Sequence, residues 1–157
     1  MNIASDPTSL QNTVRSPETN QAPPADANGV LTVDLDAVVA NWRKLEKTAV
    51  PAECAGVVKA NAYGCGAGPV ARALADAGCK TFFVATLDEA RIVRAALPSA
   101  AIYVLNGFFQ NCGEGYAKID VRPVIGDLNE LARRLPRGRG IAPRRINARP
   151  LRIFSVR

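Results

Sequence analysis

The chain has 157 residues, 48% of them hydrophobic, and a formal net charge of +6, a composition ordinary for one globular domain. No run approaches the roughly 18 apolar residues of a membrane-spanning helix, and the absence of histidine excludes Ser-His-Asp and Cys-His catalysis and His-liganded zinc within the chain. The charge is unevenly divided: residues 1–132 hold 11 Lys and Arg against all 14 acidic residues, whereas residues 133–157 hold nine Arg and no acid. A nucleic-acid partner argued from overall basicity would therefore rest on the last 25 residues alone. Cys54, Cys65, Cys79 and Cys112 form no C-x-x-C pair. The first 29 residues contain no apolar signal segment. Reduced thiols in a cytoplasmic protein are the expectation.

Residues 1–29 are polar and broken by Pro7, Pro17, Pro23 and Pro24, which predicts a disordered leader. Val30–Leu35 reads as a short strand, with Asp36 as the cap of a following helix. Val38, Trp42, Leu45 and Ala49 make one apolar stripe on that helix, and Pro51 closes it. Cys54–Ala60 reads as a buried strand and Asn61–Ala67 as a Gly-rich loop. Pro69 suits the first turn of a helix carrying Val70, Ala73, Leu74 and Ala77, with Gly78 ending it. Thr81–Ala85 is the next strand. Thr86 and Glu89 form a capping box for a helix with Ala90, Val93 and Leu97 inward, stopped by Pro98. Ala101–Leu105 and Arg122–Ile125 are two further strands, and Asp127 with Glu130 caps a last helix. Strands separated by helices predict parallel β/α units over residues 30–132. Residues 133–157 show neither strand nor helix period. Their Arg, Pro, Gly and Ala content matches codons of a GC-rich gene read out of frame, so this Arg-rich tail is read as out of frame or disordered.

Two features bear on chemistry. Gly64-Cys65-Gly66-Ala67-Gly68-Pro69 follows a strand and opens a helix, but Pro69 stands where a dinucleotide-binding fingerprint needs its third glycine. No P-loop pattern occurs. The glycines suit either backbone contact with an anion at the helix start or a plain tight turn. Lys59 ends the apolar run Ala55-Gly56-Val57-Val58. In β/α barrels the C-terminal strand ends carry the chemistry, and an amine there can form a Schiff base with an aldehyde cofactor. From spacing alone, a lysine snorkelling to solvent is the favoured reading.

The residues around it decide between these. Val57-Val58-Lys59-Ala60-Asn61-Ala62-Tyr63-Gly64-Cys65-Gly66 closely resembles the cofactor-lysine motif of the alanine racemase family, barrel-type pyridoxal-phosphate enzymes. Thr32–Ala37 with Asn41-Trp42, Phe83–Ala90, Ile102–Gly107, and Val124-Ile125 with Leu128-Asn129 resemble the first strand and helix and the later barrel strands of that family, in order. The resemblance spans about residues 30–132. It implies an α/β fold, a partial (β/α)8 TIM barrel of about four parallel units, without the family's C-terminal β-domain. It implies alanine racemization through a pyridoxal 5'-phosphate Schiff base on Lys59, supplying D-alanine for peptidoglycan. It also implies that Lys59 exchanges the α-proton on one face. Tyr63 would bond the cofactor phosphate and Leu105 would pack near the cofactor ring. Alanine is then the small-molecule substrate, and the intact family forms homodimers. No membrane or nucleic-acid partner and no metal is expected.

Many family members carry histidine where Cys65 stands. The family's second base is a tyrosine of the C-terminal β-domain, so the chain alone is expected to be inactive. The alternative is a non-catalytic pyridoxal-phosphate-binding barrel protein, although such proteins carry a different sequence after their lysine. A third reading is an Arg-rich nucleic-acid-binding tail, with only Phe154 there as a stacking platform.

Overall fold

A computed structural model describes residues 28–134 and 151–155. Residues 1–27, 135–150 and 156–157, which include most of the expected leader and tail, lie outside the described residues. In chain order the elements are α1 (Leu35–Ala49), β1 (Glu53–Val57), α2 (Lys59–Tyr63), α3 (Ala67–Asp76), β2 (Thr81–Val84), α4 (Leu87–Ala96), β3 (Ala101–Val104), α5 (Gly113–Lys118), β4 (Arg122–Pro123), α6 (Leu128–Arg134) and β5 (Leu151–Ser155).

The first expected strand does not form. Val30–Val33 pair with no strand, Leu35 is already helical, and Asp34 rather than Asp36 caps α1 by accepting the Ala37 N–H at 3.0 Å. A β-branched run favours extended backbone but makes no stable strand without a neighbour to pair with. Asp36 instead sits in the first helical turn, where a carboxylate favours the positive end of the helix dipole. Trp42 anchors α1: it is 1% exposed, and its indole N–H donates to the Cys54 carbonyl at 3.3 Å. Leu45, expected on the same stripe, faces outward.

The five strands form one all-parallel sheet in the order β4-β3-β2-β1-β5. Val57, Phe83, Tyr103 and Arg122 stand side by side across β1 to β4. Helices cover one face, and between them and the strands lie Trp42, Leu74, Phe82, Val84, Val93, Ile102 and Val104. The alternate strand residues Ala55, Val57, Phe83 and Tyr103 line the other face, as a period of two requires. The four expected strands are thus present and parallel, an α/β arrangement that is part of a barrel. Strand β4 is shorter than the expected Arg122–Ile125, although the Val124 N–H still bonds the Val104 carbonyl at 2.8 Å.

The strongest local expectation holds in full. Thr86 Oγ1 accepts the Glu89 N–H at 3.3 Å and Glu89 Oε2 accepts the Thr86 N–H at 3.2 Å, the reciprocal pair of a capping box. Asp127 Oδ1 accepts the N–H groups of Asn129 and Glu130, starting α6 as read from sequence. Three elements were not expected: α2 falls where the strand to Ala60 and a Gly-rich loop were read, and α5 and β5 are the others. Helix α5 lies in a Gly-containing stretch, fastened by Tyr116, whose hydroxyl donates to the Gly107 carbonyl at 2.8 Å. Strand β5 lies in the segment read as lacking any period, and it pairs with β1 over five residues from Glu53↔Leu151 to Val57↔Ser155.

Candidate active site

Parallel β/α sheets gather functional groups at the C-terminal ends of their strands. At that end of β1, the Val58 N–H donates to the Phe83 carbonyl at 2.9 Å, extending strand pairing by one residue. The chain then reverses its hand. Ala60, Asn61, Ala62 and Tyr63 have φ values of 50, 53, 53 and 53°, so α2 is one turn of left-handed helix starting at Lys59. Each L-residue in this conformation costs about 1–2 kcal/mol, so the surroundings must hold it there.

Several bonds do so. The Ala62 N–H reaches back to the Val58 carbonyl at 3.0 Å, and the Gly66 N–H to the Asn61 carbonyl at 2.9 Å. Asn61 Oδ1 accepts the Ala67 N–H at 2.8 Å and so joins the turn to the start of α3. Gly64, at φ 89°, closes the turn where a side chain would be strained. The N–H groups of Gly64, Cys65, Gly66 and Ala67 all bond within this loop. Of the two readings of the Gly-rich stretch, the tight turn is therefore the one these amides satisfy.

The left-handed turn brings Tyr63 back beside Lys59, with Nζ 6.0 Å from the ring centroid, a cation–π separation. Lys59 is half-buried and Tyr63 is 40% exposed. Leu105 follows β3 on the same rim, 36% exposed, with its N–H bonded to the Val84 carbonyl at 2.9 Å. By strand alternation Ala55, Val57, Phe83 and Tyr103 fall on one side of the sheet, away from the helices, while β1 ends at Val57 and Lys59 stands past it in the left-handed turn. Of the three residues singled out from sequence, Lys59 and Tyr63 lie together in the turn after β1, and Leu105 follows β3 at the same end of the sheet. Beneath them Phe83 and Tyr103 stack with centroids 5.2 Å apart, and Arg122 lies over Tyr103 and donates to its hydroxyl at 2.9 Å.

The cysteines divide by burial. Cys54 and Cys79 are buried; Cys65 and Cys112 are partly exposed. Burial raises the Cys54 thiol above its ordinary value and pushes Cys79 up to about 12, against weaker lowering by the main-chain bonds it makes. Both remain protonated and inert at neutral pH. At the opposite end of the strands, a cleft of about 240 Å³ is lined by Trp42, Glu46, Glu53 and Lys80 among others. It lies away from Lys59, at the end where barrels build stability rather than chemistry. No helix among the described residues is long and apolar enough to cross a membrane.

An all-parallel β/α sheet with a lysine just past the C-terminal end of its first strand is the arrangement of a partial β/α barrel. The family described as alanine racemase, N-terminal domain, matches residues 33–147, past the change of composition at residue 133. The chain belongs to that family. An alanine racemase of Methylobacterium nodulans is 56% identical over 102 residues, which is 65% of this chain and 28% of that protein. One of Acidiphilium cryptum is 52% identical over 103 residues, covering 66% and 29%. Among solved structures, an alanine racemase of Bartonella henselae with covalently bound pyridoxal phosphate has a TM-score of 0.61 at 44% identity, over 64% of this chain and 29% of that one. The chain therefore spans less than a third of the length of these relatives.

Proposed function

We propose that residues 28–134 are the cofactor-anchoring part of an alanine racemase and that Lys59 takes pyridoxal 5'-phosphate. The observation that carries this reading is the left-handed turn after β1, which sets the Lys59 amine 6.0 Å from the Tyr63 ring on the rim that Leu105 shares. The residues present fit such a group: an amine for its aldehyde, a phenol hydroxyl one turn away for its phosphate, and a half-exposed leucine for its ring. The loop amides add no phosphate cradle, being bonded internally.

When bound, the cofactor supplies an electron sink beside the substrate α-carbon. Lys59 would hold the cofactor through its amine, and the same amine would exchange the α-proton on one face. Tyr63 fixes the cofactor's orientation and Leu105 keeps water from one side of the ring. Inversion needs a second base on the opposite face, a role the family resemblance gives to a tyrosine of a C-terminal β-domain. Residues 28–134 by themselves then bind cofactor without racemizing alanine. The whole enzyme, a cytoplasmic homodimer in this reading, interconverts L- and D-alanine and supplies peptidoglycan synthesis.

Titration of the full chain with pyridoxal 5'-phosphate, followed by visible absorbance, tests this. Lys59→Ala abolishes the absorbance change. Tyr63→Phe weakens binding by about tenfold or more, the loss of a hydrogen bond to a charged group, and leaves binding of unphosphorylated pyridoxal unchanged. Equal binding by wild type and Lys59→Ala contradicts the reading.

A further inference from the structure

Lys59 stands between two anchored neighbours. On one side Val58 is bonded to Phe83, as above. On the other, the Ala60 N–H donates to Glu89 Oε1 at 2.7 Å, a contact across 29 residues of sequence. Glu89 belongs to the first turn of α4, and its second oxygen, Oε2, accepts the N–H of Ala85 at 2.7 Å and of Thr86 at 3.2 Å. A capping box requires only the Thr86 bond. The bonds to Ala60 and Ala85 lie outside that motif, and together they tie the end of β1 to the end of β2.

We propose that Glu89 is a positioning residue for Lys59: one carboxylate, accepting on both oxygens, holds the first residue of the left-handed turn and so sets where the amine projects. This rests on reading Lys59 as the attachment residue. The chemistry makes the role specific to a carboxylate. A glutamine has the same shape but one acceptor and one NH2 donor. With two N–H groups converging on Oε2, the amide oxygen stays there and the NH2 faces the Ala60 N–H, donor against donor.

The test uses the full chain and three variants. Amide exchange is read at Ala60, and acetylation of Lys59 is read against Lys44, Lys47 and Lys80 in the same molecule. Glu89→Gln raises Ala60 exchange by about tenfold, the loss of one charge-assisted bond, and changes Lys59 reactivity relative to the other lysines. Glu89→Asp keeps the charge but is a methylene too short to bridge both strand ends, so it does the same and serves if the glutamine variant fails to fold. Thr86→Ala removes the cap hydroxyl while leaving the Ala60–Glu89 bond, and it leaves both readouts at wild-type values. The proposal is overturned if both Glu89 variants match wild type, or if Thr86→Ala shifts both readouts as far as they do. A parallel sample with pyridoxal 5'-phosphate, fixed by borohydride, separates the two claims. Wild type that fixes none at Lys59 sinks the attachment reading, while Ala60 exchange still decides what Glu89 holds.

Discussion

At Lys59 an ordinary parallel strand gives way to a left-handed turn, and the candidate chemistry depends on that change of hand. Lys59 and Tyr63 stand out in the sequence because the run from Lys59 to Gly66 resembles the family motif at every position but Cys65. The turn's hand was not legible. Ala60 and Ala62 have no preference for positive φ, and only Asn61 and Gly64 tolerate it readily. Tertiary bonds, not local propensity, select the conformation. Glu89 was legible only as a capping residue, because nothing in sequence reports an acceptor for a residue 29 positions earlier. Cys79 gives a prediction at this scale. Its thiol, ordinarily near 9.0, is raised to about 12 by burial. Above pH 9 the unfolded chain releases this proton while the folded chain retains it, so stability is full below that pH and declines towards pH 12. Urea unfolding at about pH 8 and about pH 10.5 will show a falling midpoint, with a smaller fall in Cys79→Ala. An identical fall in the variant contradicts this account of Cys79.

Among the elements, those with self-contained signals matched their expected positions: the Thr86–Glu89 capping box, the Asp127 cap and the apolar strands β2 and β3, whereas β1 ends at Val57, three residues before the expected Ala60. Elements whose existence depends on a distant partner did not. Val30–Leu35 has strand composition but no paired neighbour, and β5 has no period but finds β1. Helix α5 escaped notice because its glycines mask a helix held by Tyr116. One side chain joins several of these pieces. Arg94, near the end of α4, donates to the carbonyls of Leu97, Pro98, Ala100, Ile119 and Asp120 at 2.7 to 3.1 Å. It thereby closes the end of α4 and binds it to the turn after α5. Three of these carbonyls share Nη1, and a lysine, with three donors on one nitrogen and no planar fork, cannot reach both this group and the Ile119 and Asp120 carbonyls. Arg94→Lys will destabilise the fold by about 1–3 kcal/mol, measured by chemical denaturation. A change within about 0.5 kcal/mol, typical of a neutral surface substitution, would show that water replaces these bonds without loss.

For the whole molecule, the order β4-β3-β2-β1-β5 is informative. In a closed barrel of eight parallel strands, the first strand is flanked by the second and the last. Here β5 takes that second flank of β1 along all five of its residues. An uncovered β1 would offer a row of free main-chain groups to other chains. Deleting residues 151–157 will therefore expose the strand that leads to Lys59, raising amide exchange across Glu53–Val57 and producing larger species in light scattering. Unchanged exchange and a monodisperse sample would mean that β5 contributes nothing to β1. The central claim concerns the amine at the end of that strand. Its most direct measurement is a peptide map of the full chain after incubation with pyridoxal 5'-phosphate and borohydride reduction. The account predicts the pyridoxyl group on Lys59 in near-stoichiometric yield, with Lys44, Lys47, Lys80 and Lys118 scarcely labelled. Labelling spread evenly over the lysines, or concentrated at any lysine other than Lys59, would contradict it.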